Sequence, residues 1–193
     1  MLPLAYLGAF KAYRGKWLLE IVLLLPLVLP PTIVGLYLLL LFGRQGPLGF
    51  LSHSIIFTLA GASFATTIVV LPLLYQGLKG AMISVPRSII EIGQTLSANR
   101  REILFKLILP NCWPAILASI LLAFCRALGE FGASLMVAGY IPGQTDTLAN
   151  SIYFAIQEGD NRGAILLSLV TIGLGLFFLL LITILTRRKR SLL

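Results

Sequence analysis

Two ionisable residues stand four apart inside an apolar run, Arg126 and Glu130, and they are the first candidates for chemistry in this chain. Four residues apart on a helix places them on one face, where each neutralises the other; in lipid neither would be tolerated alone. Such a pair faces a bundle interior or a cavity, and either locks helix packing or a subunit interface, or lines and gates an anion pathway. A second candidate is the run Leu25 to Gly35, LPLVLPPTIVG. Prolines remove helical donors, so this segment is kinked or broken near Pro30 and Pro31. The result is a structural kink, or a break whose restarted helix directs its positive N-terminus, with Thr32 beside it, at an anion.

Other chemistries lack their residues. There is no GxxxxGK[ST] phosphate loop, no HExxH, no GxSxG, and no Cys/His constellation. His53 has no Cys, Asp or Glu cluster near it. Cys112 and Cys125 show neither metal-ligand spacing nor a disulfide framework, and read as small buried hydrophobes. An intramembrane enzyme therefore ranks lowest among the function classes. The polar residues point to passage and coupling.

The elements that must position these residues are membrane spans. Of 193 residues 58% are hydrophobic and only 11% charged, and the mean hydropathy is +0.97, which puts the chain in the membrane class. The net charge of +8 is not a nucleic-acid footprint, because the basic residues do not share one face. Twelve of the 15 fall in three clusters: Lys11, Arg14 and Lys16; Lys79, Arg87, Arg100, Arg101 and Lys106; and Arg187, Arg188, Lys189 and Arg190. An even number of spans separates these clusters, so they share a side, which the positive-inside rule makes the cytoplasm.

The expected architecture is an all-α polytopic bundle, one transmembrane domain over 1–193. Its spans are about 17–42, 55–78, 113–139 and 164–186, with a cytoplasmic loop at 79–110 and an outer loop with a short helix at 140–162. The C-terminus is cytoplasmic. Met1 to Phe10 is too short to cross and reads as the end of a spanning helix whose beginning lies outside this chain, or as an interfacial anchor. Gly61, Ala62, Ser63, Ala65, Thr66 and Thr67 suit close packing in the second span, and Gly173 and Gly175 suit approach of a neighbouring helix in the last. Outside, Ile141-Pro142-Gly143 is a turn, and Thr147 caps a helix running to Glu158.

The loop at 79–110 is too charged for hydrocarbon, yet its apolar residues recur at helical spacing. It reads as two short amphipathic helices, the first opened by Pro86, the second closed by Pro110, with Ser97-Ala98-Asn99 as the break. A helical hairpin held in water between two spans is built to be gripped by a partner.

Glu91 to Pro110 resembles the EAA loop of ABC-importer permeases, the coupling helices that dock into a cleft on the ATPase subunit. Glu91 opens the motif and Leu109-Pro110 closes it; Ile92 and Gly93 stand where the family has alanines, and Ser97 where it has the turn glycine. LPLVLPPTIVG, together with RALGEFGASLMVAGYIPGQTDTL from Arg126 to Leu148, is similar to the permeases of molybdate importers, and the second run also to those of sulfate and thiosulfate importers.

The resemblance implies a homodimer in the cytoplasmic membrane, working with two cytoplasmic ABC ATPase subunits and an extracytoplasmic oxyanion-binding protein. ATP acts at the ATPase, and this chain holds no cofactor or metal of its own. Coupling would fall to Glu91, Gly93, Ser97, Ala98, Leu109 and Pro110, the pathway or gate to Pro30, Pro31, Thr32, Arg126 and Glu130, and outer-partner contact to Pro142, Gly143 and Thr147. Molybdate is the expected substrate, with tungstate, sulfate or thiosulfate as alternatives. A membrane scaffold that only recruits a soluble partner is the competing class, and polar groups in the bilayer argue against it.

Overall fold

The computed structural model describes the backbone of residues 1–190 and the side chains of residues 1–186, and it is all-α among them. The side chains of Arg187, Arg188, Lys189 and Arg190, expected to form a basic tail, lie outside the described residues. The helices are α1 (Leu2–Phe10), α2 (Lys16–Val28), α3 (Pro31–Phe42), α4 (Ser52–Ile55), α5 (Leu59–Ile83) and α6 (Arg87–Thr95). They continue with α7 (Arg100–Leu128), α8 (Gly132–Ala138), α9 (Leu148–Gln157) and α10 (Asn161–Arg190).

The central element is α5. Its 25 residues reach about 37 Å at 1.5 Å each, enough to cross the hydrocarbon. The Thr58 hydroxyl caps it by accepting from the Gly61 amide at 3.0 Å. One core cluster surrounds its C-terminal half, with Ala5, Tyr75, Leu78, Met82, Ile108 and Ile116; the other surrounds its N-terminal half, with Val34, Leu38, Phe42, Ala65, Ala133 and Val137. The first cluster lies at the hairpin end of the bundle, the second toward the far end. Gly61, Ala62 and Ala65 are buried as expected, whereas Ser63 and Thr67 are exposed. α1 also packs on α5, through Gly8, where a Cβ would lie within contact of the Tyr75 hydroxyl.

The segment 17–42 is broken, as its prolines predict, and the break is sharp: α2 and α3 meet at 113°. Residues preceding proline are forced into extended backbone, and here two stand in succession. Leu29 (ψ 140°) precedes Pro30, and Pro30 (ψ 135°) precedes Pro31, so the chain turns before α3 starts.

Three expectations are corrected. Lys79 does not begin a loop; α5 carries it and continues to Ile83. Pro110 does not close the second hairpin helix, because α7 runs through it to Leu128. A π-helical turn over Ile103–Ile108 takes up the missing donor: the Leu109 amide reaches five residues back to the Leu104 carbonyl, and the Asn111 side chain donates to the Leu107 carbonyl at 2.8 Å. The third concerns 113–139, expected as one span. It is interrupted at Gly129–Phe131, so Glu130 lies between α7 and α8 rather than on one helical face with Arg126.

The last helix, α10, packs on α7 and α9, with Phe124 and Phe178 edge to face at 5.1 Å. Its most apolar stretch has no buried residue. Among the described residues nothing lies within 4 Å of a Cβ placed on Gly173 or Gly175, so none of them supplies the expected neighbouring helix.

Candidate functional site

The two broken segments meet at their breaks. A Cβ on Gly132, the first residue of α8, would lie 2.9 Å from Thr32 Cγ2 and 3.1 Å from the Thr32 nitrogen; one on Gly35 of α3 would lie 2.9 Å from Ala133 Cα. Each glycine therefore seats one restarted helix against the backbone of the other. Pro30 and Thr32 are exposed at this junction, and neither the amide nor the hydroxyl of Thr32 has a hydrogen-bond partner among the described residues. The start of α3 thus holds two donors without a partner among the described residues, at the positive end of a helix.

Arg126 and Glu130 are paired, Nη1 to Oε2 at 3.2 Å, but their roles are unequal. The Glu130 side chain is 1% exposed and that of Arg126 is 44%. The other carboxylate oxygen accepts from the Ala133 amide at 3.1 Å, so Glu130 caps α8 as well as pairing with Arg126. Ser134, fully buried, donates to the Phe131 carbonyl at 3.0 Å and closes the turn. The negative charge is thereby enclosed, while the guanidinium keeps an open side. Phe131 packs against Tyr153 of α9, centroids 4.9 Å apart.

The hairpin is built from two capping motifs. Ser97 sits in left-handed backbone (φ +57°), its amide bonding the Gln94 carbonyl and the Ala98 amide bonding the Gly93 carbonyl, both at 3.0 Å. That is the Schellman pattern, with serine where glycine is usual, so the bend forms without the family's glycine. Asn99 and Glu102 then form a reciprocal capping box at 2.9 and 3.0 Å, and Glu102 pairs with Lys106 at 3.0 Å. Gly93 is buried where a Cβ would fall 2.6 Å from Leu107 Cδ1, so glycine brings α6 close onto α7. Glu91 is exposed with no partner among the described residues, and Ile92 and Leu96 of the same hairpin arm are exposed. Ala98 and Leu109 are half-buried against the hairpin-end core, and Pro110 is exposed.

At the far end, Pro142 and Gly143 are exposed on a turn (Gly143 φ +77°) whose amide donates to the Asp146 carboxylate at 2.6 Å. Thr147 caps α9 by accepting from the Asn150 amide at 3.3 Å. Buried Thr145 accepts from the Ile141 amide at 2.8 Å, which fixes the loop from inside.

One polar cluster was not foreseen. Lys79 of α5 pairs with Glu20 of α2 at 2.5 Å, and the fully buried Tyr75 donates its hydroxyl to the same oxygen at 3.3 Å. The signal available was Glu20 itself, an acid in the apolar stretch Trp17 to Val28. Its partner, 59 residues away, carries no local trace.

Residues 1–191 match the family described as binding-protein-dependent transport system inner membrane component. The chain is 36% identical over 193 residues to the molybdenum transport system permease protein ModB of Escherichia coli (strain K12), covering 97% of this chain and 84% of that protein. It is 34% identical over 193 residues to ModB of Haemophilus influenzae, with the same coverage. To the "probable sulfate transport system permease protein cysT" of Chlorella vulgaris it is 33% identical over 174 residues, 88% of this chain and 65% of that protein. The broken spans and the capped hairpin are thus those of a multi-pass membrane protein that belongs to the family of inner membrane components of binding-protein-dependent transport systems.

Proposed function

We propose that this chain is the permease subunit of an ATP-driven molybdate importer, acting as a homodimer with two cytoplasmic ATPases and an extracytoplasmic oxyanion-binding protein. The observation that carries this reading is the similarity to the Escherichia coli molybdenum permease across 97% of the chain. The hairpin end and the C-terminus face the cytoplasm, in keeping with the basic clusters. The loop at Pro142, Gly143 and Thr147 then faces the binding protein.

In this reading the hairpin is the transmission element. Glu91, with Ile92 and Leu96, engages the ATPase, while Gly93, Ser97 and Ala98 hold the bend. Leu109 and Pro110 lie where α7 passes from the hairpin toward its apolar stretch. A push on the hairpin travels along α7, continuous from Arg100 to Leu128, to the junction of the two breaks. The oxyanion passes between two copies, meeting the donors of Thr32 and the exposed guanidinium of Arg126. Pro30 and Pro31 set the break, and Glu130 holds Arg126 and α8 in place. ATP is bound and hydrolysed by the partner, and no cofactor is held here.

Sulfate import is the second reading, favoured by the similarity to the Chlorella vulgaris protein. The test is uptake of labelled molybdate by the chain assembled with its ATPase and binding protein, competed by tungstate and by excess sulfate. Uptake blocked by tungstate alone is the expected result. Competition by sulfate would transfer the chain to the second reading, and absence of uptake of either anion would overturn transport.

A further inference from the structure

Two cavities abut at the hairpin end, and they differ in character. One, of about 510 Å³, lies between the end of α1 and the hairpin; Lys11, Arg100 and Gln94 surround it, with Tyr6 and Ile103 as apolar walls. The other, of about 440 Å³, is lined by Leu7, Leu104, Phe105 and Leu109, and shares Tyr6 and Lys11 with the first. The order follows α1: Leu2, Pro3 and Leu7 line the apolar cavity and Phe10 and Ala12 the polar one, while α7 gives Arg100, Ile103 and Ile108 to the polar cavity and Leu104, Phe105 and Leu109 to the apolar one. Because α1 passes here from an apolar helix to the basic run Lys11, Arg14 and Lys16, the polar cavity lies at the level of the membrane surface and the apolar one below it.

We infer that this double cavity is a binding site for an anionic phospholipid, its phosphate between Lys11 and Arg100 and one acyl chain along Leu7, Leu104 and Leu109. Charge complementarity selects the headgroup: two cations line the polar cavity and no acid does. Basic pockets beside membrane helices recruit such headgroups, each cation contributing about fivefold near the surface. The apolar cavity supplies what a free anion would not need, a wall for hydrocarbon that Tyr6 and Lys11 join to the headgroup site. Ile90 and Gln94 face the lipid from α6, whereas Ile92 and Leu96, half a turn or more away, face outward. The lipid therefore braces the hairpin on the face opposite Glu91's apolar neighbours. The inference concerns the membrane side of the protein and holds whichever anion is transported.

The experiment is lipid retention by the purified full chain with its ATPase, exchanged into phosphatidylcholine vesicles with or without phosphatidylglycerol and read by native mass spectrometry. Wild type is expected to keep phosphatidylglycerol over phosphatidylcholine. Lys11→Gln and Arg100→Gln each lower retention about fivefold, Leu104→Trp lowers it by filling the apolar cavity, and Arg14→Gln, an exposed cation outside the lining, leaves it unchanged. Equal retention of both lipids, an equal loss with Arg14→Gln, or displacement by millimolar inorganic phosphate would overturn the site.

Discussion

Ser97 occupies backbone that an L-residue enters at a cost of about 1–2 kcal/mol, and it does so because the Schellman bonds at Gln94 and Gly93 hold it there. Ser97→Gly is expected to stabilise the protein by about 0.5–1 kcal/mol, part of the relief being offset by glycine's greater freedom in the unfolded chain. The melting temperature of the purified protein should rise by about 1–4 °C; an unchanged or lower value would mean that the serine is not strained. The same scale decides the ion pair. Arg126→Ala leaves an enclosed carboxylate with one backbone donor, but the guanidinium is partly exposed, so the loss falls below the roughly 3–5 kcal/mol of fully buried pairs, at about 2 kcal/mol. Glu130→Gln in the same background should recover at least half of it, since the amide oxygen still caps α8. A double-mutant cycle on melting temperature reads both, and an Arg126→Ala variant as stable as wild type would remove the pair from the account. The pair was legible in the sequence because both partners sit in one short run. Glu20 and Lys79 were not, since nothing local records that α2 folds back along α5.

Breaks in helices left clear marks only where proline made them. Leu29-Pro30-Pro31 forces extended backbone through sterics that depend on the dipeptide alone, so the interruption of 17–42 could be read directly. The second break, at Gly129-Glu130-Phe131, was hidden by its own charges, whose i, i+4 spacing fits a continuous helix equally well. Pro110 misled in the opposite direction, because a π turn absorbs the missing donor only when packing on both sides favours continuation. What holds the two breaks together is close backbone approach, and that is testable. A Cβ on Gly35 meets Ala133 Cα at 2.9 Å, which no rotamer change relieves, so Gly35→Ala should cost about 1–3 kcal/mol by prying α3 from α8. Gly80→Ala is the matched control. It sits inside α5 with nothing within 4 Å, and helix propensity alone should make it neutral or stabilising by up to about 1 kcal/mol. If both variants lower the melting temperature equally, the close crossing is not what holds the junction.

For the whole molecule, the proposed coupling role requires that an event on the hairpin reach the junction of the breaks. The structure supplies a stiff route: the hairpin is closed by two caps, α6 lies tight on α7 through Gly93, and α7 runs unbroken to the residue before Gly129. Glu91 stands at the start of that route with no partner among the described residues. A side chain that is exposed and unpartnered contributes little to stability, so removing it acts through whatever docks there. Glu91→Ala is therefore expected to leave membrane yield and melting temperature unchanged while lowering ATP-dependent anion uptake at least tenfold, as loss of a charge-assisted contact of about 1.5–3 kcal/mol requires. Binding of the ATPase should weaken by a similar factor. The separation of readouts is what makes the test sharp. A fall in melting temperature would make Glu91 a structural residue, normal uptake would remove the hairpin face from coupling, and weakened uptake with full ATPase binding would place the defect further along α7.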